Sequence, residues 1–171
     1  MADRYTIQLR KPRVQDAIEL AKQADNPAIF AGLRDYFPSP YSVDDALRFI
    51  ETVHAKTGPA TDWFITVDDR VAGVMGLFLG EDVYRHNAEI GYWLGEEFWG
   101  RGIMTACIQR TVEFAWKNFD VTRIYAEVFS SNAASIRVLE KCGFEREYVL
   151  EGIVTKLGER CDSICMGIRN P

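Results

Sequence analysis

The chain has 171 residues, 47% of them hydrophobic and 26% charged, with a net charge of −5 at pH 7. That size and apolar content suffice for one globular domain, residues 1–171, to bury its own core without disulfides or metals. The Lys and Arg residues are scattered rather than gathered into a run, so the electrostatic footprint of a nucleic-acid binder is missing. No stretch approaches the roughly 20 apolar residues of a membrane helix, and Met1–Arg10 contains no leader-type apolar segment. A soluble, cytoplasmic protein without a membrane partner is expected. Cys107, Cys142, Cys161 and Cys165 form no C-x-x-C pair and have almost no histidines near them, so reduced thiols and no metal are expected.

In chain order, Tyr5–Arg10 alternates as a first strand, and Pro12 stands near the start of a helix that runs to Lys22. A helical turn follows Asn26-Pro27 to about Leu33, and the prolines of the loop from Asp35 to Tyr41 forbid regular structure there. Ser42, with Asp45 three residues on, reads as a capping box for a helix reaching about Lys56, with Ala46, Phe49, Ile50 and Val53 on one face. Trp63–Val67 and Val71–Leu79 read as strands joined by a tight Asp68-Asp69 turn, and Ala88–Leu94 as another strand. The spacing of Ile108, Val112 and Ala115 predicts a helix from Ile103 to about Asn118, and Arg123–Val128 is again extended. Asn132–Cys142 reads as a short helix ended by Gly143, with Phe144–Leu150 and Ser163–Ile168 as the last strands. This order implies an α/β fold in which a mixed sheet is flanked by helices.

The stretch Glu89-Ile-Gly-Tyr-Trp-Leu, followed by Phe98-Trp-Gly-Arg-Gly-Ile-Met-Thr105, runs from a strand through a loop into an amphipathic helix. A loop with Gly100 and Gly102 directly before a helix N-terminus can aim several backbone N–H groups at one anion, and a pyrophosphate suits it. The alternative reading of the same two glycines is relief of a crowded turn. Downstream, Asn132-Ala-Ala-Ser135 opens a helix that Asn132 can cap. No G-x-G-x-x-G follows the first strand and no G-x-x-x-x-G-K-S/T is present, so Rossmann and P-loop readings lack their fingerprints.

These two segments, together with Glu140-Lys-Cys-Gly-Phe144, resemble the GNAT superfamily of N-acetyltransferases over almost the whole chain, and within it the RimJ/RimL-like branch of ribosomal-protein N-terminal acetyltransferases. The resemblance implies a mostly antiparallel sheet of six to seven strands with about four helices, in which a central strand pair splays. It also implies acetyl-CoA as co-substrate, held by Trp93, Leu94, Trp99, Gly100, Arg101, Gly102, Ile103, Met104, Thr105 and Asn132. The superfamily's Q/R-x-x-G-x-G/A becomes Trp99-Gly-Arg-Gly-Ile-Met104, with its first and last positions replaced. Many relatives carry a tyrosine that protonates the departing thiolate where this chain has Leu139, and Ser135 resembles the serine to which this branch assigns that role.

Acetyl transfer needs a neutral amine, although primary amines with pKa near 8–10 are mostly protonated at pH 7. By likeness to the branch, Glu89 is the expected base and a backbone N–H near Trp93 or Leu94 the expected oxyanion donor; Glu89 read as an ordinary strand carboxylate is the alternative. No nucleophile is required, and His54 reads as an ordinary satisfied histidine. Tyr36, Phe37 and Tyr41 are candidates for a wall of the acceptor site or for plain core, and Glu147, Glu151 or Asp162 for attracting a cationic amine. The expected acceptor is a protein or peptide N-terminus. The alternatives are a polyamine, an aminoglycoside or another small amine, or a silent acyl-CoA-binding module. Relatives often pair, which makes a homodimer compatible with the sequence.

Overall fold

A computed structural model describes residues 5–170. Seven strands and five α-helices occur among them: β1 (Ile7–Arg10), α1 (Ala17–Ala24), α2 (Pro27–Ala31), α3 (Val43–Ala55), β2 (Asp62–Val67), β3 (Arg70–Leu79), β4 (Asn87–Leu94), α4 (Ile103–Asn118), β5 (Arg123–Phe129), α5 (Ala133–Lys141), β6 (Glu145–Lys156) and β7 (Glu159–Arg169). The strands follow one another across the sheet as β1-β2-β3-β4-β5-β7-β6. β4 and β5 run parallel, from Asn87 opposite Arg123 to Glu89 opposite Tyr125, whereas β1 with β2, β2 with β3, β5 with β7 and β6 with β7 are antiparallel. A fifth α-helix therefore adds to the four or so expected, because Asn26 caps Ala28 N–H and Pro27 starts a short helix of its own.

The chain falls into two compact units, one through Gly76 together with Tyr92–Ile103, the other Leu77–Gly91 together with Met104 onward. In the first, Leu20, Ala21 and Ala24 of α1, Ala46 and Ile50 of α3, Phe64 of β2 and Val71 of β3 form an apolar core with Tyr41, and Phe37 and Trp93 pack against it. The Ser42–Asp45 capping box is present as read. Asp68 and Asp69 both take positive φ in the tight β2–β3 turn, the handedness that matches strand twist in a two-residue hairpin.

In the second unit, Met104, Cys107, Ile108, Thr111, Val112 and Ala115 make the buried stripe of α4 at helical spacing. Alternate residues Ile124, Ala126 and Val128 of β5 are likewise buried. β6 and β7 are longer than the sequence pattern suggests. Almost every residue of β6 is exposed, so no alternation marks it, and the pairing is irregular between Leu150 and Val154. At the other end of this unit, Arg123 reaches Asn87 Oδ1 on β4 (3.1 Å) and chelates the Glu147 carboxylate on β6, with its guanidinium 4.4 Å from the Tyr125 ring centroid. One side chain thus joins β4, β5 and β6 beside the parallel ladder.

The Arg123 guanidinium lowers the Glu147 carboxyl below its usual range, its hydrogen bond being the largest cause. A depressed carboxylate stabilises the fold above the ordinary glutamate value of about 4.3, and the contribution is lost as pH falls through the lower folded value. Denaturant titrations should therefore show wild type exceeding Glu147→Gln in stability at neutral pH, with the difference closing in acid. A difference that stayed constant to low pH would contradict this linkage.

Candidate functional site

The segment between β4 and α4 is built from local turns. Gly95 N–H donates to Ala72 O (2.7 Å), Glu96–Phe98 forms one 3-10 turn, and the Trp99 indole N–H donates back to Leu94 O (2.6 Å). Gly100 and Gly102 then take φ of +72° and +76° on either side of Arg101, and α4 begins at Ile103. Backbone that switches hand around single residues turns successive N–H groups toward one concavity, and the first N–H groups of a helix lack intrahelical partners. Neither glycine has another atom near where a Cβ would stand. The crowded-turn reading therefore loses its basis, since the requirement is for positive φ and open space rather than relief of contact. The arrangement can hold a phosphate-type anion on backbone donors.

The expected residues of this segment fall into distinct environments. Trp99 is 45% exposed, and Phe98 is buried with the Arg101 guanidinium 6.0 Å from its ring centroid and 5.6 Å from that of Tyr5. Ile103 and Met104 are buried, and Thr105 O in the first turn of α4 accepts from Cys142 Sγ (3.6 Å). Trp93 packs edge-on against Phe37, with centroids 6.0 Å apart, and Leu94 is buried.

In the second unit, Asn132 Oδ1 caps α5 by accepting from Ser135 N–H (3.1 Å). Only the carbonyl end of the Asn132 amide is used by that cap; the N–H donors are a separate set, so capping and ligand binding can coexist. Ser135 and Glu89 are both half-buried. Glu89 lies opposite Tyr125 in the parallel ladder, and burial first, then the Glu89 charge, push the Tyr125 phenol up. Leu139, where many relatives carry tyrosine, is wholly buried.

The three aromatic candidates are not brought together. Phe37 and Tyr41 pack with ring centroids 4.9 Å apart, and Tyr41 belongs to the core, where burial raises its phenol to about 12. Tyr36, between prolines and a polar turn, is 83% exposed. Among the acidic candidates, Glu151 is exposed, whereas Glu147 is held by Arg123 and Asp162 accepts from Gly152 N–H (2.8 Å). His54 Nε2 lies 2.9 Å from Pro12 O, as befits a satisfied histidine. Burial raises the Cys107 thiol to about 12 and that of Cys142 to about 11, which suits inert packing groups rather than nucleophiles. Sequence reasoning missed Gln23, Arg70 and Glu97, which meet beside this segment; they come from three separate parts of the chain, and no local motif links them.

Residues 6–145 match the family model of the acetyltransferase (GNAT) domain. The chain is 31% identical to the probable N-acetyltransferase YjcK of Bacillus subtilis strain 168, over 97% of this chain and 95% of that protein. Among solved structures, the microcin self-immunity acetyltransferase MccE in complex with acetyl-CoA and AMP superposes with a TM-score of 0.82 at 25% identity, covering 96% of this chain and 92% of that one. RimL, a ribosomal alpha-N-protein acetyltransferase in complex with coenzyme A, gives 0.82 at 22% identity, covering 96% and 94%. The second likeness concerns the fold.

Because a Cβ added at Gly100 or Gly102 would meet nothing within 4 Å while the backbone there is left-handed, substitution by alanine costs only conformational strain, about 1–2 kcal/mol per residue. Thermal melts of Gly100→Ala and Gly102→Ala should show losses of this size, and wild-type stability in both would mean that positive φ is not required.

Proposed function

Because the chain belongs to the GNAT acetyltransferase family, we propose that this acetyltransferase moves the acetyl group of acetyl-CoA to the α-amine of a protein or peptide N-terminus, by direct attack within a ternary complex. The observation that carries the cofactor part of this reading is the pair of left-handed glycines immediately ahead of α4. On this reading, the backbone donors of Trp99–Thr105 take the pyrophosphate, and the Asn132 amide N–H groups take the pantetheine arm. The amine-acceptor part is supported by likeness to RimL and by the residues shared with the RimJ/RimL-like branch.

Glu89 removes the ammonium proton, directly or through one water, so that the neutral nitrogen can attack the thioester carbonyl carbon. A backbone N–H at Trp93 or Leu94 stabilises the resulting oxyanion. When the C–S bond breaks, Ser135 supplies the proton that neutralises the departing thiolate. A half-buried Glu89 fits the role of a base, and the alternative of an ordinary strand carboxylate makes the opposite kinetic prediction.

The test is release of free CoA from acetyl-CoA against N-terminal peptides, polyamines and aminoglycosides. Turnover confined to N-terminal peptides is expected; turnover confined to a small amine would replace the acceptor, and acetyl-CoA binding without turnover on any amine would leave a silent acyl-CoA-binding module. For the accepted substrate, Glu89→Gln should lower kcat by about 10²-fold or more, shift its pH dependence and preserve acetyl-CoA affinity. Equal kcat in both proteins would remove Glu89 from the mechanism.

A further inference from the structure

Within the first unit, the turn that leads into the glycine segment is gripped from three directions. The Glu97 carboxylate accepts from Gln23 Nε2 of α1 (2.6 Å) and from both terminal nitrogens of Arg70 at the start of β3 (3.2 and 3.0 Å). Arg70 is itself anchored, since its Nε donates to Glu19 Oε1 (3.2 Å) while Glu19 Oε2 accepts from Val71 N–H (3.1 Å). Next door, Asn26 Nδ2 donates to Glu96 Oε2 (2.7 Å). The Arg70 guanidinium also stands 5.5 Å from the ring centroid of the buried Phe98.

Gln23 is the inner jaw. It is only 6% exposed, and a Cβ on residue 95 would overlap its Oε1, so Gly95 is what lets the amide lie flat against the backbone at the root of the turn. A buried amide that has given up water keeps its hydrogen bond to a carboxylate, because losing that bond leaves a polar group unsatisfied. The Arg70 and Gln23 hydrogen bonds, in that order, hold the Glu97 carboxyl below its usual range. A Cβ at Gly100 or Gly102, by contrast, would meet nothing within 4 Å, so no side chain packs on the glycines themselves. The segment is ordered by the residues around the glycines: Trp99 and Arg101 within it, and the Glu97 cluster at its upstream end.

We propose that Gln23, Arg70 and Glu97 form a positioning clamp, which holds the Trp99–Gly102 backbone in its anion-ready conformation and thereby sets the affinity for acetyl-CoA. The inference rests on the proposed pyrophosphate role of that segment. None of the three residues is a catalytic residue; they act through the backbone that follows Glu97. If unclamping leaves the segment competent about one tenth of the time, apparent affinity falls about tenfold, because the binding-competent fraction multiplies the intrinsic constant.

The experiment measures acetyl-CoA affinity by calorimetry and, separately, amide hydrogen exchange across Trp99–Ile103 in the ligand-free protein. Glu97→Ala and Gln23→Leu should each weaken acetyl-CoA binding about tenfold and speed exchange in that segment, whereas Arg70→Lys, which keeps a charge for Glu97, should retain most of the affinity. The double variant should lose no more than Glu97→Ala alone, since both contacts end on one carboxylate. Arg48→Ala, which breaks the exposed Asp45–Arg48 pair in the same unit, should leave both readouts unchanged. Should Glu97→Ala fail to fold, Glu97→Gln gives the same readouts at smaller amplitude. Wild-type affinity with wild-type exchange in the folded clamp variants would overturn the proposal, as would fully additive losses. A wild-type protein that did not bind acetyl-CoA would instead overturn the functional reading, and exchange in the ligand-free proteins would still judge the clamp.

Discussion

Gly100 and Gly102 hold positive φ directly ahead of α4, and the proposed cofactor site depends on that constraint. Left-handed backbone on both sides of Arg101 turns the chain sharply enough for a sixteen-residue helix to start at once, with its unpaired N–H groups beside those of the turn. The conformation is available to glycine at no steric cost and to other residues only under strain.

In the first unit, apolar packing of α1, α3, β2 and β3 fixes the places from which Gln23, Glu19 and Arg70 reach the turn. In the second, Arg123 ties Asn87 to Glu147 beside the ladder in which Glu89 stands opposite Tyr125. The two polar clusters follow the same logic: an arginine donates to a carboxylate, Arg70 to Glu97 and Arg123 to Glu147, and that carboxylate loses proton affinity in return. Burial raises the Cys107 thiol and His54 Nε2 stands against Pro12 O, so both read as structural groups.

Most of the fold was legible in the sequence where one face of an element is buried. The α4 bounds were readable from an apolar stripe of helical period, and the α3 start from Ser42 and Asp45. The full extent of β6 and β7 was not, because β6 is exposed on most of its length and β7 is buried continuously from Ser163 to Gly167, so neither shows a clear alternation. The glycine segment and Asn132 were visible because local backbone needs leave local residue types. Tyr36, Phe37 and Tyr41 show the limit, since three neighbouring aromatics cannot be sorted into surface and core where prolines remove any period. The Gln23–Glu97 contact spans 74 positions and involves ordinary polar residues, so only the folded chain brings it to notice.

Whether the segment entering α4 takes the pyrophosphate of acetyl-CoA is decided by following backbone and side-chain amide resonances while coenzyme A is titrated into the protein. Saturable shifts concentrated at Gly100–Thr105, with a second group at the Asn132 side chain, are expected. Saturable shifts that left these residues unmoved, or no shifts at all, would contradict that role.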